Sequence, residues 1–352
     1  MRLDKLRGHL DRSGHYPYMV NDAKNIAYLC GFEGSYARLF VTENDYILLT
    51  DSRYIEYAGK VCGDDKVKEQ RGKFPDVLSD LAAFCGWKKI FVEESLTLSE
   101  FLPLQKSCAP LELVPAEIYA QKLRLVKDES ELSIIKKAVN LADECLQSIL
   151  AVLKEGIRES DVSAEIEYFF RKNGSSGSSF DTIVAFGAHS SMPHYNTGNA
   201  RLRNGDVILI DTGCVVDGYC SDITRTFFYG TVDAEMERVY DIVNCARAAA
   251  IDKISSGISA GVLDRCARDI ISEKGYGKAF GHSLGHGVGR DVHEAPGLRD
   301  GSEEILQAGS VVTIEPGIYI PGKGGVRIED MVVTAEGGSE LLTNFPRDLK
   351  KL

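Results

Sequence analysis

The chain of 352 residues is long enough for two domains of ordinary size, and its 44% hydrophobic and 26% charged content suits a globular protein with packed cores. A formal net charge of -11 argues against nucleic acid or an anionic membrane surface as partner, and no apolar run is long enough to cross a bilayer. Nine cysteines, an odd number with no CxxC pair, read as reduced thiols of a cytoplasmic protein rather than as a disulfide framework.

The opening stretch MRLDKLRGHLDRSG spaces Leu3, Leu6 and Leu10 at helical intervals among charges and lacks the apolar core of a signal peptide. It is expected to be an ordinary first helix. Residues 37–42 (ARLFVT) and 46–50 (YILLT) read as strands around the polar turn Glu43-Asn44-Asp45. A helix near 74–84, a strand from Ile90, a helix near 97–107 and a short strand around 111–114 follow. This is an α/β pattern in which nothing reads as catalytic, and Tyr54 and Tyr57 read as packing residues. From Asp128 the texture changes. Asp128 with Glu131 makes a capping box, and Leu132, Ile135, Val139, Ala142 and Leu146 continue at helical spacing toward a stop at Gly156. Ser160 is expected to open a second helix that stops at Asn173-Gly174, and a third spans about 233–255. The change from strand alternation to long helices divides the chain into domains 1–122 and 123–352.

Two segments of the second domain share a frame. Residues 203–213 (RNGDVILIDTG) and 307–317 (QAGSVVTIEPG) each end an apolar strand with an acid, Asp211 or Glu315, and place a glycine two residues later. After the first, Asp217-Gly218 signals a type I′ turn, which pairs Val216 with Tyr219 and therefore Asp211 with Thr224. Asp211 and Asp222 become diagonal neighbours on one face, about 7–8 Å apart at the backbone. The second copy turns through PGKGG and returns as VRIEDMVV, which brings Glu329 toward Glu315. Four carboxylates among apolar strand residues carry a large desolvation penalty unless something neutralises them. No matching set of basic residues accompanies them, so divalent metal is the natural counter-charge.

Five of the seven histidines fall between residues 189 and 293, three of them in FGHSLGHGVGRDVHE: His282, His286 and His293. The glycines at 281, 285, 287 and 289 argue against a zinc-binding HExxH helix, and no GxGxxG opens a helix after a strand. Three histidines beside an acidic site are best explained as one ligand plus groups that handle substrate. One imidazole with four carboxylates is a hard, oxygen-rich set that favours manganese, with cobalt or zinc as alternatives. Two such ions about 3.5–4 Å apart would share a water, lower its pKa and polarise a carbonyl, which is hydrolase chemistry.

These residues fall in blocks with a known pattern. NIAYLCGFEGS and TDSRY are similar to a creatinase-type N-terminal domain, and LRLVKDESELSIIKKA resembles the start of the catalytic domain that follows it. The ordered set IDTG, SDITRT, SLGHGVG, TIEPGIY and VRIED resembles the metal-dependent Xaa-Pro peptidases, aminopeptidase P and prolidase, over nearly the whole chain. The resemblance implies an α/β creatinase-type N-terminal domain plus an α+β pita-bread catalytic domain with an internal pseudo-twofold repeat. It implies Asp211 as ligand of one metal, Asp222 and Glu329 as bridging carboxylates, and His286 and Glu315 as ligands of the other metal. His194, in MPHYNTG, and His293, in VHEAP, match substrate-orienting histidines. His282 sits where a further histidine is usual. Arg327 matches an active-site arginine, acting either on substrate or as a salt bridge to a ligand.

The implied reaction is hydrolysis of the bond before proline. A hydroxide between two metals attacks the carbonyl, His194 or His293 stabilises the oxyanion, and Glu315 carries the proton to the leaving nitrogen. Proline makes that amide tertiary and removes its N–H, so the site must rely on metal and carbonyl contacts. The implied partners are proline-containing peptides and a second copy of the chain in a homodimer. Aminopeptidase and dipeptidase stay open. A dipeptidase needs a cation for the free proline carboxylate, with Arg290, Arg327 or an arginine of a neighbouring subunit as candidates. The alternatives are methionine aminopeptidase-like activity, a creatinase-like amidinohydrolase that does without these ligands, and a non-catalytic peptide-binding module.

Overall fold

A computed structural model describes residues 2–231 and 233–352 and divides the chain into two compact units between Arg124 and Leu125. In the first unit, six strands form one mixed sheet in the order β4-β3-β2-β1-β5-β6. They are β1 (Tyr18–Val20), β2 (Ala37–Val41), β3 (Tyr46–Thr50), β4 (Val67–Glu69), β5 (Lys89–Glu93) and β6 (Glu112–Ala116). Neighbours around β1, β2 and β3 are antiparallel, and the β3–β4, β1–β5 and β5–β6 pairs are parallel.

Strand alternation sends side chains to two faces, and helices cover both. Tyr18 and Val20 pack with Leu3, Leu6 and Leu10 of α1 (Arg2–Ser13) and with α2 (Ala23–Cys30), α3 (Ile55–Cys62) and α6 (Tyr119–Arg124). Met19, between them, packs on the opposite face with α4 (Phe74–Cys85) and α5 (Leu98–Ser107). The hairpin read from residues 37–50 is present with Val41 opposite Tyr46. Tyr54 and Tyr57 pack against the ring of Phe32.

The second unit sets two helix pairs against two groups of strands. Helices α7 (Glu129–Ile149) and α8 (Glu159–Lys172) cover β8 (Ile183–Phe186), β9 (Val207–Thr212) and β12 (Ile223–Phe228) through Ile166, Phe170, Ile208, Ile210 and Phe227. Short strands β7 (Gly177–Ser178), β10 (Cys214–Val216) and β11 (Tyr219–Cys220) extend the first hairpin. Helices α9 (Ala234–Asp252) and α10 (Ala260–Glu273) cover the other strands through Val239, Val243, Leu263, Ala267, Val312 and Ile314. These strands are β13 (Gly285–Gly287), β14 (Glu294–Leu298), β15 (Val311–Ile314), β16 (Gly317–Ile320), β17 (Gly324–Arg327), β18 (Asp330–Ala335) and β19 (Gly338–Leu341). This repeated helix-covered hairpin is the pita-bread arrangement.

The Asp128 capping box is present, with Asp128 accepting from Glu131 N and Glu131 accepting from Asp128 N. The helix it opens ends at Ile149, short of the expected Gly156, because the chain tightens there into turns such as Val152 N to Ile149 O. The next helix starts one residue before Ser160, at Glu159, with Asp161 accepting the Arg158 backbone N–H. The third occupies 234–252, narrower than the expected 233–255. Helix α10 had no counterpart in the sequence reading. All nine cysteines are free, and four of them are buried. Among the described residues, no helix is long and apolar enough to cross a membrane.

Candidate metal centre

The first acidic hairpin folds in the expected register. Asp217 and Gly218 hold positive φ of 46° and 77°, as a type I′ turn requires, and Val216 faces Tyr219 while Asp211 faces Thr224. In β9 the apolar residues Ile208 and Ile210 point to α7 and α8, which leaves Asp211 on the other face. The second hairpin pairs Ile314 with Asp330 and Gly317 with Arg327, so Glu315 and Glu329 come to the same end of the strands. Glycine at 213 is a packing requirement, since a Cβ there would run into the carbonyl oxygen of Ser221. Gly285, one residue before His286, lies equally close to the Thr313 carbonyl.

Asp211, Asp222, His286, Glu315 and Glu329 line one cavity of about 1060 Å³ together with His194, His282, His293 and Arg327. Within it, Asp222, His286 and Glu329 each offer a ligand atom inside a 4.8 Å group. His286 Nε2 lies 3.2 Å from Glu315 Oε1 and 3.6 Å from Asp222 Oδ2. The Oδ1 atom of Asp211 is buried and has no hydrogen-bond partner among the described residues.

Electrostatics reflect crowding of like charge. Burial, then repulsion from Glu329 and Asp211, pushes the Asp222 carboxyl well above its ordinary pKa. Burial, then Glu315 and Asp211, does the same to Glu329, and burial raises Asp211 despite the nearby Arg327. Burial is the largest single influence on Glu315, but the hydrogen bond from His286 and the combined positive fields of His286, His282 and Arg327 leave that pKa lowered. Burial is also the largest influence on His286, but Glu315, the Gly287 carbonyl and Asp211 together leave its pKa raised.

A hydrogen-bonded chain joins the acids to the walls of the cavity. Arg327 donates to Asp211 Oδ2 at 2.6 Å, to Tyr319 Oη at 2.9 Å and to Thr224 Oγ1 at 3.0 Å. Thr224 in turn donates to Glu329 Oε2 at 2.7 Å. Arg327 thus holds the Asp211 carboxylate directly and reaches that of Glu329 through Thr224. Both nitrogens of His282 are engaged, Nε2 with the Tyr319 hydroxyl at 2.8 Å and Nδ1 with the Ser283 carbonyl at 2.7 Å. His293 packs edge-on against His286, ring centroids 4.3 Å apart, and burial followed by His286 lowers its pKa. His293 and His194 both present exposed surface at the cavity.

Arg290 lies over the ring of Tyr219, 5.0 Å from its centroid, and does not line the cavity. The cavity's second arginine is Arg299, an exposed residue just past β14 with no side-chain ion pair among the described residues. Sequence reasoning missed Arg299, Thr224 and Tyr319. Thr224 meets Arg327 and Glu329 from more than 100 residues away, and no local repeat marks any of the three.

One acid of the pair Glu329-Asp330 faces the cavity and the other faces away. Asp330 is fully buried and bound by Arg225 at 2.8 Å, Arg247 at 2.6 Å and Arg347 at 2.9 Å. The cavity acids, by contrast, share a single arginine, Arg327, among the described residues.

Residues 133–336 match the description of metallopeptidase family M24, and residues 2–126 match the creatinase/prolidase N-terminal domain. The Bacillus subtilis protein named Uncharacterized peptidase YqhT is 38% identical over 350 residues, covering 99% of each chain. Among solved structures, an Xaa-Pro dipeptidase from Bacillus anthracis superposes with a TM-score of 0.96 at 37% identity, covering 100% of this chain and 99% of that one. An X-Pro aminopeptidase from Thermotoga maritima gives a TM-score of 0.91 at 36% identity over the full length of both chains.

Proposed function

Since the chain belongs to metallopeptidase family M24 and carries that family's creatinase/prolidase N-terminal domain, we propose that it hydrolyses the peptide bond between an N-terminal residue and proline. The observation that carries this reading is the meeting of Asp211, Asp222, His286, Glu315 and Glu329 in one cavity with too few basic residues to neutralise them.

The donor set fits a pair of divalent cations. Mutual repulsion raises Asp222 and Glu329, and the buried Asp211 Oδ1 lacks any donor, so positive charge is what the site needs. Asp211, Asp222, His286, Glu315 and Glu329 would hold it, and their oxygen-rich character favours manganese. When bound, such ions supply charge neutralisation, acidify a water and polarise the scissile carbonyl.

The chain's own residues do the rest. Arg327 and Thr224 fix the carboxylates of Asp211 and Glu329 before substrate arrives. Glu315 takes a proton from the attacking water on its carboxylate and returns it to the departing proline nitrogen. His293, edge-on to His286, donates one N–H toward the developing oxyanion, with His194 facing the same space. Arg299 favours a dipeptide substrate, because it is the cavity cation left to meet a free proline carboxylate.

The first domain and the five ligand-type residues weigh against the methionine aminopeptidase, amidinohydrolase and binding-module readings. Assays with added manganese on Xaa-Pro, Xaa-Pro-Xaa and Met-Ala peptides test the function. Turnover of Xaa-Pro above the other two is expected, and a manganese-loaded protein that cleaves neither proline substrate refutes the proposal.

A further inference from the structure

A second buried carboxylate lies outside the metal cluster. Glu159, the first residue of α8, is fully buried, yet lysine and arginine play no part in its contacts among the described residues. It accepts four hydrogen bonds, all from the segment 186–198: Phe186 N at 2.8 Å, His189 Nδ1 at 2.9 Å, the Tyr195 hydroxyl at 2.9 Å and Gly198 N at 3.3 Å. The His189 and Tyr195 rings stack with centroids 4.6 Å apart, and burial together with Glu159 pushes the Tyr195 hydroxyl up to about 12, which keeps it a donor.

That segment carries His194 into the cavity. It has other anchors. Ser190 Oγ accepts from Gly325 N at 2.8 Å, and Thr197 Oγ1 donates to Thr182 O at 2.8 Å. Between them, residues 191–196 are tied to the rest of the fold by a long bond from Arg327 to the Pro193 carbonyl, at 3.4 Å, and the short bond from Tyr195 to Glu159, while the bonds from Ser191 Oγ to Ala188 O, Met192 N to His189 O and Tyr195 N to Met192 O stay inside the segment. Charge-assisted bonds to one buried acceptor are stronger and more directional than neutral ones. We propose that Glu159 is a positioning residue for the proline-peptide reaction, acting through His194 by fixing the loop that presents its imidazole to the cavity. This rests on the peptidase reading above.

The test is a double-mutant cycle in the manganese-loaded protein, combining Glu159→Gln with His194→Ala and reading kcat and KM on an Xaa-Pro dipeptide. Glu159→Gln keeps the volume and removes acceptor capacity. The expected result is a fall in kcat/KM of about 10–100-fold, as misplacement of a reacting-site group produces. Manganese affinity by calorimetry stays unchanged, and Glu159→Gln causes no further loss in the His194→Ala background. Equal losses in both backgrounds, an unchanged kcat/KM, or a loss of manganese affinity overturns the proposal. If Glu159→Gln does not fold, Tyr195→Phe serves, with a smaller loss that is likewise absent in the His194→Ala background. Should the wild type cleave no proline peptide, the peptidase reading has failed on its own. The positioning role is then read from the His194 imidazole NMR signal, identified by its absence in His194→Ala. That signal moves in Glu159→Gln if the proposal holds and stays in place if it does not.

Discussion

Asp222 shows how little each acid of the cavity has to lean on within the chain. Its charge partner among the described residues is His286 at 3.6 Å, and its neighbours are other carboxylates. Asp222→Asn removes one negative charge and a ligand atom together. We expect manganese binding measured by calorimetry to weaken and kcat/KM to fall by more than about 100-fold, the upper end of what removing a supporting group does. Thr224 separates bracing from ligation. Its hydroxyl bridges Arg327 and Glu329, so Thr224→Val should lower metal affinity or turnover by about 10–100-fold while leaving the fold intact. Arg299 is the residue on which the proposed preference for dipeptides rests. Arg299→Ala should raise KM for Xaa-Pro by about 10-fold or more, the worth of a charged hydrogen bond, with little change on Xaa-Pro-Xaa. Equal effects on both substrates would remove its proposed contact with the terminal carboxylate.

The hairpins explain why some of this could be read from sequence and some could not. Asp217-Gly218 admits one tight turn, and that turn alone fixes which residues face each other across β9 and β12. The inward placement of Asp211 followed from local chemistry. Helix α10 was harder. Its buried stripe of Leu263, Ala267 and Ile271 is interrupted by the equally buried Asp264, which accepts from Leu284 N and Arg268. A carboxylate in an apolar face breaks the periodic signal, and one of the two donors that satisfy it lies 20 residues away. Glu159 was hidden for the same reason. Asp330, beside Glu329, had no assigned role in the sequence, and the packing of three arginines on its far side supplies one. Asp330→Ala should destabilise the protein by about 3–5 kcal/mol in chemical denaturation, since it strands buried guanidinium groups. Burial works to raise the Asp330 pKa, but Arg225, Arg347 and Arg247 hold it well below the carboxylate range. Its contribution is therefore present above the unfolded pKa of about 3.9, and the gap between wild type and variant should close as pH falls below that value.

At the level of the molecule, the cavity acids give the opposite pH signature. Asp222 and Glu329 have folded-state pKa values above their unfolded ones, so the metal-free protein holds more protons than its unfolded chain over that interval. Stability of the chelated protein should accordingly drop as pH rises from the ordinary carboxylate range toward neutral. Saturating manganese should flatten that slope and add about 2.7 kcal/mol at a hundredfold excess over its dissociation constant. Melting curves across pH, with and without metal, would show it, and parallel curves would contradict the charge crowding. The back-to-back arrangement of Glu329 and Asp330 has a further consequence. Every ion the hairpin needs to keep its shape is already built into the polypeptide on one side, whereas the other side depends on an ion borrowed from solution. Chelation should thus silence the protein without unravelling it, and resupply should restore it with no refolding in between.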